Sequence, residues 1–483
     1  GKLAEAIREN FPDEVEDALK GANDIIAEHI ADDAEYRTWI RKATWDHGKI
    51  TSSAKKPEES SVFEMYYDFE ESIEKIAGYR ILAINRGEKE GILQVKIEPD
   101  MQKIASYLAR KIITRKNPNT TKALFAAIED SYKRLIAPSI ERDIRNELTE
   151  NASTEAIKVF GKNLAQLLMQ PPIAGQVVLG WDPAFRTGCK LAVVDATGKV
   201  LDTVVIYPTA PQNKVEEAKK VVKALIKKYG ITLISIGNGT ASRESEQIVV
   251  DMLKEIKEPV QYVITNEAGA SVYSASKLAT EEFPNFDVGQ RSATSIARRV
   301  QDPLAELVKI EPKAIGVGQY QHDMNQKQLT EALGGVVEAT VNKVGVDLNT
   351  ASASLLEYVS GVSKTVAKNI VAYLEENGTF KNRKQLLKVA KLGPKAFEQC
   401  AGFLRVSGGD EPLDATGVHP ETYKETGMLL KSLGYSTKEL SQEGFKGISS
   451  KITDYKKLSE ELGIGEITLK DIVKELEKPG RDP

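Results

Sequence analysis

The chain has 483 residues, a formal net charge of −4, and 41% hydrophobic and 28% charged residues, a composition typical of globular proteins with room for about three or four domains. No segment approaches the roughly 20 apolar residues of a membrane helix, so no membrane partner is expected. The slightly acidic balance means that any nucleic-acid binding has to come from local patches rather than from the whole-protein field. The start, Gly1-Lys2-Leu3-Ala4-Glu5, is not organised as a signal peptide, and Cys189 and Cys400 form no CxxC pair, so a reduced, cytoplasmic setting is expected. The four histidines lack zinc-ligand spacing, and no bound metal or cofactor is expected.

Residues 1–172 read as a helical region. Asn10-Phe11-Pro12-Asp13 offers a helix start, and the polar stretch from Lys49 to Ser61 reads as a loop. A small β-hairpin is expected near 79–97, where apolar runs at Ile81-Leu82-Ala83-Ile84 and Ile92-Leu93 flank a turn bounded by Gly87 and Gly91. That turn balances Arg86 and Lys89 against Glu88 and Glu90, which favours a solvated turn over a phosphate site. Helical patterning returns from Pro99 to Leu168, and Met169-Gln170-Pro171-Pro172 serves as a linker.

Residues 173–310 form the next domain. Val177 to Asp182, Leu191 to Asp195 and Val204 to Ile206 are three apolar runs separated by turn signals, a three-stranded meander. The period then changes. Val215, Ala218, Val221, Val222, Leu225 and Ile226 recur at helical spacing, and Gly230 ends that helix. A strand at 233–236, a helix over about 242–257 and a strand at 262–264 complete the order βββαβαβ, that of an RNase H-like fold. Nucleases of this fold place carboxylates around two Mg²⁺ ions. Asp182 and Glu267, at strand ends, and Asp302, from a later helix, are the candidate catalytic set. Where the strand at 233–236 should end in an acid, however, it ends in Gly237-Asn238-Gly239. A neutral Asn is a poorer Mg²⁺ ligand, so the set reads as vestigial and Mg²⁺ is expected only if the domain cuts.

A connecting helical segment at 311–346 leads to residues 347–407. There, a helix, a hydrophobic-Gly-hydrophobic turn and a second helix occur around Gly361-Val362-Ser363-Lys364 and again around Gly393-Pro394-Lys395. Gly361 and Gly393 stand 32 residues apart (393 − 361), as in paired helix-hairpin-helix domains. A glycine turn can approach a phosphate closely, and free N–H groups at the second helix's N-terminus can bind its oxygens. Lys364, Lys368 and Lys395 add positive charge. Over 347–405 nine basic residues, including Lys381, Arg383, Lys384, Lys388, Lys391 and Arg405, face five acidic ones. Contacts of this kind read the backbone rather than the bases. Residues 408–483 read as a last helical region, with Pro479-Gly480-Arg481-Asp482-Pro483 as a domain-boundary linker.

The combination resembles the bacterial Tex family, transcription accessory proteins related to a eukaryotic Spt-type elongation factor. The resemblance rests on Ala83 to Gly91, Asp182 to Gly188, Gly237 to Glu244, Asn266 to Ser271, Gly316 to Asp323 and Pro479 to Pro483. It implies a mainly α, multidomain fold with a central α/β YqgF-like RNase H domain and tandem helix-hairpin-helix motifs. The family normally adds an N-terminal helix-turn-helix section and a C-terminal OB-fold RNA-binding domain, so a truncated core is expected here. The leading expectation is a transcription accessory factor that binds DNA or RNA without sequence preference through the helix-hairpin-helix turns, on a non-catalytic RNase H-like platform, with RNA polymerase or the ribosome as candidate partners. The alternatives are a Mg²⁺-dependent nuclease and a protein-interaction scaffold.

Overall fold

The computed structural model describes residues 2–440 and 444–478, so the expected linker at Pro479-Gly480-Arg481-Asp482-Pro483 lies outside the described residues. The chain divides into two compact units, 1–159 with 318–325, and 160–317 with 326–483. Among the described residues no helix is long and apolar enough to cross a membrane.

The first unit is helical around one small sheet. Helices Pro12–Asp32, Ala34–His47, Met101–Ile112 and Thr121–Asp130 accompany strands β1 (Lys49–Ala54), β2 (Asp68–Ser72) and β3 (Leu93–Glu98), in the antiparallel order β2-β1-β3. Two expectations fail here. The hairpin near 79–97 is instead a helix, Gly78–Lys89, followed by β3, whose partner is β1. Gly87 sits inside that helix because Leu93 and Phe63 pack directly onto it, leaving no room for a Cβ. What looked like a turn glycine is a packing glycine. The polar stretch beginning at Lys49, expected as a loop, supplies β1. Alternation turns Ile50 and Ser52 inward, and the Ser52 hydroxyl donates to the Tyr66 carbonyl at 2.6 Å.

The second unit contains the five-stranded sheet β4 (Val178–Asp182), β5 (Cys189–Val194), β6 (Val200–Ile206), β7 (Leu233–Gly237) and β8 (Gln261–Thr265), in the order β6-β5-β4-β7-β8. The first three strands are antiparallel, and β7 and β8 run parallel to β4 and to each other, so the expected RNase H-like order holds. Period two in β4 sends Leu179 and Trp181 to the face covered by helices Val215–Tyr229 and Ser242–Lys254. Val178 and Gly180 face the helix Val288–Gln301. A Cβ on Gly180 would collide with the Ala293 carbonyl, so glycine allows helix and strand to touch backbone to backbone. Gly230 ends its helix at φ 65°, ψ 39°, the left-handed cap that the sequence suggests.

Helix Gln326–Val344 leads to the hairpin region, which is closed by a two-residue parallel pairing of Val346-Asp347 with Leu404-Arg405. The last section has its own core, built on Leu413, Leu429, Leu430, Phe445, Leu469 and Val473.

Candidate nucleic-acid interface

The same alternation that buries Trp181 points Asp182 toward the helix Val288–Gln301, where Ser292 is its neighbour. Burial holds the Asp182 carboxyl above its usual range, against the opposing influence of Ser292 and Lys190. Glu267 follows β8 and folds back over Gly237-Asn238-Gly239. A Cβ at either glycine would collide with its carboxylate. Burial raises the Glu267 carboxyl first, and the negative charge of Asp182 raises it further. Its Oε2 is buried with no hydrogen-bond partner among the described residues. Arg299 lies close by, its guanidinium pulled down to about 10 by burial and its Nη1 donating to the carbonyls of Asn266 (2.7 Å) and Ala268 (2.8 Å).

The structure therefore joins two members of the expected carboxylate set and separates the third. Asp302 stands past the other end of the helix that carries Ser292, roughly 15 Å further along its axis at 1.5 Å per residue. There it accepts from the Ala305 N–H at 3.1 Å and caps the next helix. The neighbouring Gln301 donates to the Asp195 carbonyl, at the opposite end of the sheet from Asp182. Asn238 holds the backbone together at this point, since its Oδ1 accepts the Glu267 N–H at 3.2 Å and its own N–H donates to the Thr265 carbonyl. Burial thus raises both carboxyls, and the positive charge of Arg299 partly offsets this at Glu267. Among the described residues no group of three His, Cys, Asp or Glu side chains could hold a metal.

The hairpins are more complete. Gly361 adopts φ 83°, Val362 is buried, and Ser363 caps the helix Lys364–Asn377 by accepting the Val366 N–H at 3.2 Å. The N–H groups of Ser363, Lys364 and Thr365 make no hydrogen bond among the described residues. Lys364 and Lys368 are exposed beside them. In the second hairpin the left-handed residue is Lys391 (φ 64°), not Gly393. Leu392 is buried like Val362, and Gly393, with extended backbone (φ −87°, ψ 178°), is the N-cap of helix Pro394–Cys400. Gly393 thus corresponds to Ser363, and Lys391 to Gly361. The repeat is 30 residues (391 − 361), not the 32 suggested by pairing the glycines. The N–H groups of Gly393, Lys395 and Ala396 are also without hydrogen bonds among the described residues. Pro394 sits at the first helical position, where its missing N–H costs nothing.

The local charge count also needs correction, because Arg383 and Arg405 are not available to a ligand. Arg383 is 1% exposed and donates to the carbonyls of Leu404, Leu413, Thr416 and Val418 and to the Tyr423 hydroxyl. Arg405, also buried, donates to the Val344 carbonyl. Seven exposed lysines and no arginine therefore form the basic surface of 347–405, with Lys364, Lys368, Lys391 and Lys395 grouped by the turns.

A second pair of turns escaped the sequence reading. Gly434 (φ 84°), Tyr435 and the N-cap Ser436 repeat the arrangement of Gly361-Val362-Ser363, as do Gly463 (φ 71°), Ile464 and the N-cap Gly465. The signal was the same Gly-hydrophobic-cap triplet, with glycines 29 residues apart (463 − 434). In this pair the first helical positions are Thr437 and Glu466, where the first hairpin has Lys364.

Comparison with known proteins agrees with this organisation. Residues 2–160 match the model of a Tex central region, 176–301 that of the YqgF-like domain of Tex proteins, 341–405 a helix-hairpin-helix motif and 411–483 an HHH domain. The YdcI protein of Bacillus subtilis is 56% identical over 97% of this chain and 65% of its own length. The transcriptional accessory protein Tex of Neisseria gonorrhoeae is 46% identical over 99% of this chain and 63% of its own length. The human S1 RNA-binding domain-containing protein 1 is 43% identical over 81% of this chain and 41% of its own length. The chain thus spans less than two thirds of the length of these relatives. With every family segment falling on the unit that the geometry assigns to it, the chain belongs to the Tex family.

Proposed function

We propose that this chain is a nucleic-acid-binding factor of the transcription apparatus that grips phosphates without reading sequence, and that its RNase H-like domain is a platform that does not cut. The observation that carries this reading is the pair of turns at 361–363 and 391–393. Each presents three unbonded N–H groups and exposed lysines that form no ion pair among the described residues. Backbone donors at a helix start, together with lysines, suit a phosphate and carry no information about bases. The transcription setting is supported by the Neisseria relative, named a transcriptional accessory protein, and RNA by the human relative, named for an S1 RNA-binding domain. RNA polymerase or the ribosome is the machinery on which such a factor would act.

The nuclease reading has one observation in its favour, the closeness of Asp182 and Glu267, and one against, the missing third acid. Both readings are tested together by titrating labelled duplex and single strands at several salt concentrations with Mg²⁺ present. Lys364→Glu/Lys395→Glu should weaken binding and lower the salt slope by about two phosphates' worth, roughly 1.8 on duplex DNA, while the strand stays intact. Metal-dependent cleavage abolished by Asp182→Asn would replace the platform with an enzyme. Binding indifferent to the lysines, with polymerase or ribosome retained in a pull-down, would favour a protein scaffold.

A further inference from the structure

The six basic residues between Met101 and Ile128 (Lys103, Arg110, Lys111, Arg115, Lys116 and Lys122) occur without a single acidic residue among them, a bias the hairpin reading leaves unused. In the first unit the helix Met101–Ile112 lies beside Ala34–His47, and between them is a groove of about 640 Å³. It is lined by Trp39, Lys42, His47, Lys103, Ser106 and Arg110, with Asp46 as its only acid. That acid is already paired with Lys42 at 2.6 Å. Lys103 and Arg110 are exposed and have no carboxylate in ion-pair range among the described residues.

The aromatic part of the groove is held in place. Trp39, half-buried, stacks on Tyr107 with ring centroids 3.8 Å apart and planes 4° from parallel. Tyr107 is 7% exposed and lies behind it, and Lys111 stands over the tyrosine ring. The indole that lines the groove is thus fixed by a ring beneath it, and a ligand stacking there need not restrict it. A π-surface flanked by unneutralised cations matches an unpaired base with its phosphates. A duplex does not fit, because its bases are already stacked and paired.

We infer that this groove is a second nucleic-acid site, specific for single strands, which stacks a base on Trp39 and holds adjacent phosphates with Lys103 and Arg110. It does not depend on the hairpins, so the two readings fail separately. The test uses the full chain carrying Lys364→Glu/Lys395→Glu, titrated with labelled oligo(dT) and oligo(U) of about 15 nucleotides and with a duplex of the same length. Single strands should still bind. Trp39→Ala should cost roughly 5- to 100-fold in affinity, the usual range for loss of one base–aromatic stack. Trp39→Phe should retain most of it. Lys103→Ala/Arg110→Ala, both on the surface, should lower the single-strand salt slope by about 1.4. Tryptophan emission should be quenched on binding in the parent and much less in Trp39→Phe. Far-UV circular dichroism and melting check the fold. If Trp39→Ala unfolds the unit, the Lys103/Arg110 variant decides alone. Single-strand affinity and salt slope unchanged in that variant, or a duplex bound equally well and equally dependent on it, overturns the proposal. Capture of an acidic peptide in place of the oligonucleotide does so too.

Discussion

Replacing Gly393 by aspartate separates phosphate binding from folding. At Gly393 an added Cβ meets nothing within 4 Å, and its φ of −87° and ψ of 178° are open to any residue. It is an N-cap, where aspartate is among the preferred residues, so the folded state should gain a few tenths of a kcal/mol. The new carboxylate would take the N–H groups of Lys395 and Ala396 and stand where the phosphate should sit. Two unit charges about 4 Å apart repel by roughly 1 kcal/mol in water and about 4 kcal/mol at the effective dielectric of a protein surface. Affinity should therefore fall between about 5-fold and several hundred-fold, and the duplex salt slope should lose about 0.9, one phosphate. The assay is fluorescence anisotropy over a salt series, with a thermal melt of the same samples. Unchanged affinity and slope with a normal melt would refute the assignment of the turn as a phosphate contact. Gly361→Asp cannot serve this purpose. At φ 83° a side chain is strained, and its Cβ would lie 2.7 Å from that of Gln399, so lost binding would report a broken hairpin pair.

Arg383→Ala should destabilise the second unit by about 3–5 kcal/mol, because it leaves the buried carbonyls of Leu404, Thr416 and Val418 without their side-chain donor, at about 1–3 kcal/mol for each group left unpaired; urea unfolding measures this, and Arg383→Lys should not restore it, since an ammonium cannot reproduce the planar fork. Glu267→Gln should raise the melting temperature at neutral pH. The Glu267 carboxyl titrates above its ordinary 4.5 in the folded protein, so the charged form costs stability at all pH values above the folded pKa. The cost fades as pH falls through that value and is absent well below 4.5, where both states are protonated. The advantage of Glu267→Gln over wild type should therefore shrink on acidification, and an advantage that grew instead would show the sign to be wrong.

Much of the central domain was legible because its signals are local. The strands β4 to β8 and their two helices follow from period two, period 3.6 and a glycine stop, and the adjacency of Asp182 and Glu267 follows from two parallel strands ending on one side of a sheet. The hairpin triplets are local as well, which is why the pair at 434 and 463 could have been found by the same pattern.

Other features depended on contacts distant in sequence. Gly87 looked like a turn until Leu93 and Phe63 packed against it, and Lys49–Ala54 became a strand because β2 and β3 flank it. Equating Gly393 with Gly361 was reasonable from residue type, but φ shows that glycine serves as a left-handed turn at one and as a cap at the other. Asp302 left the carboxylate set because a helix of 14 residues carries it past the sheet, and Arg383 left the basic surface because it folds inward onto carbonyls. The elements of the central domain, the family and the turn at Gly361 were legible along the chain, since these depend on periodicity and on backbone preferences within a few residues. The tertiary structure decided which charges remain exposed and which acids meet, because burial and proximity are set by residues far apart along the chain.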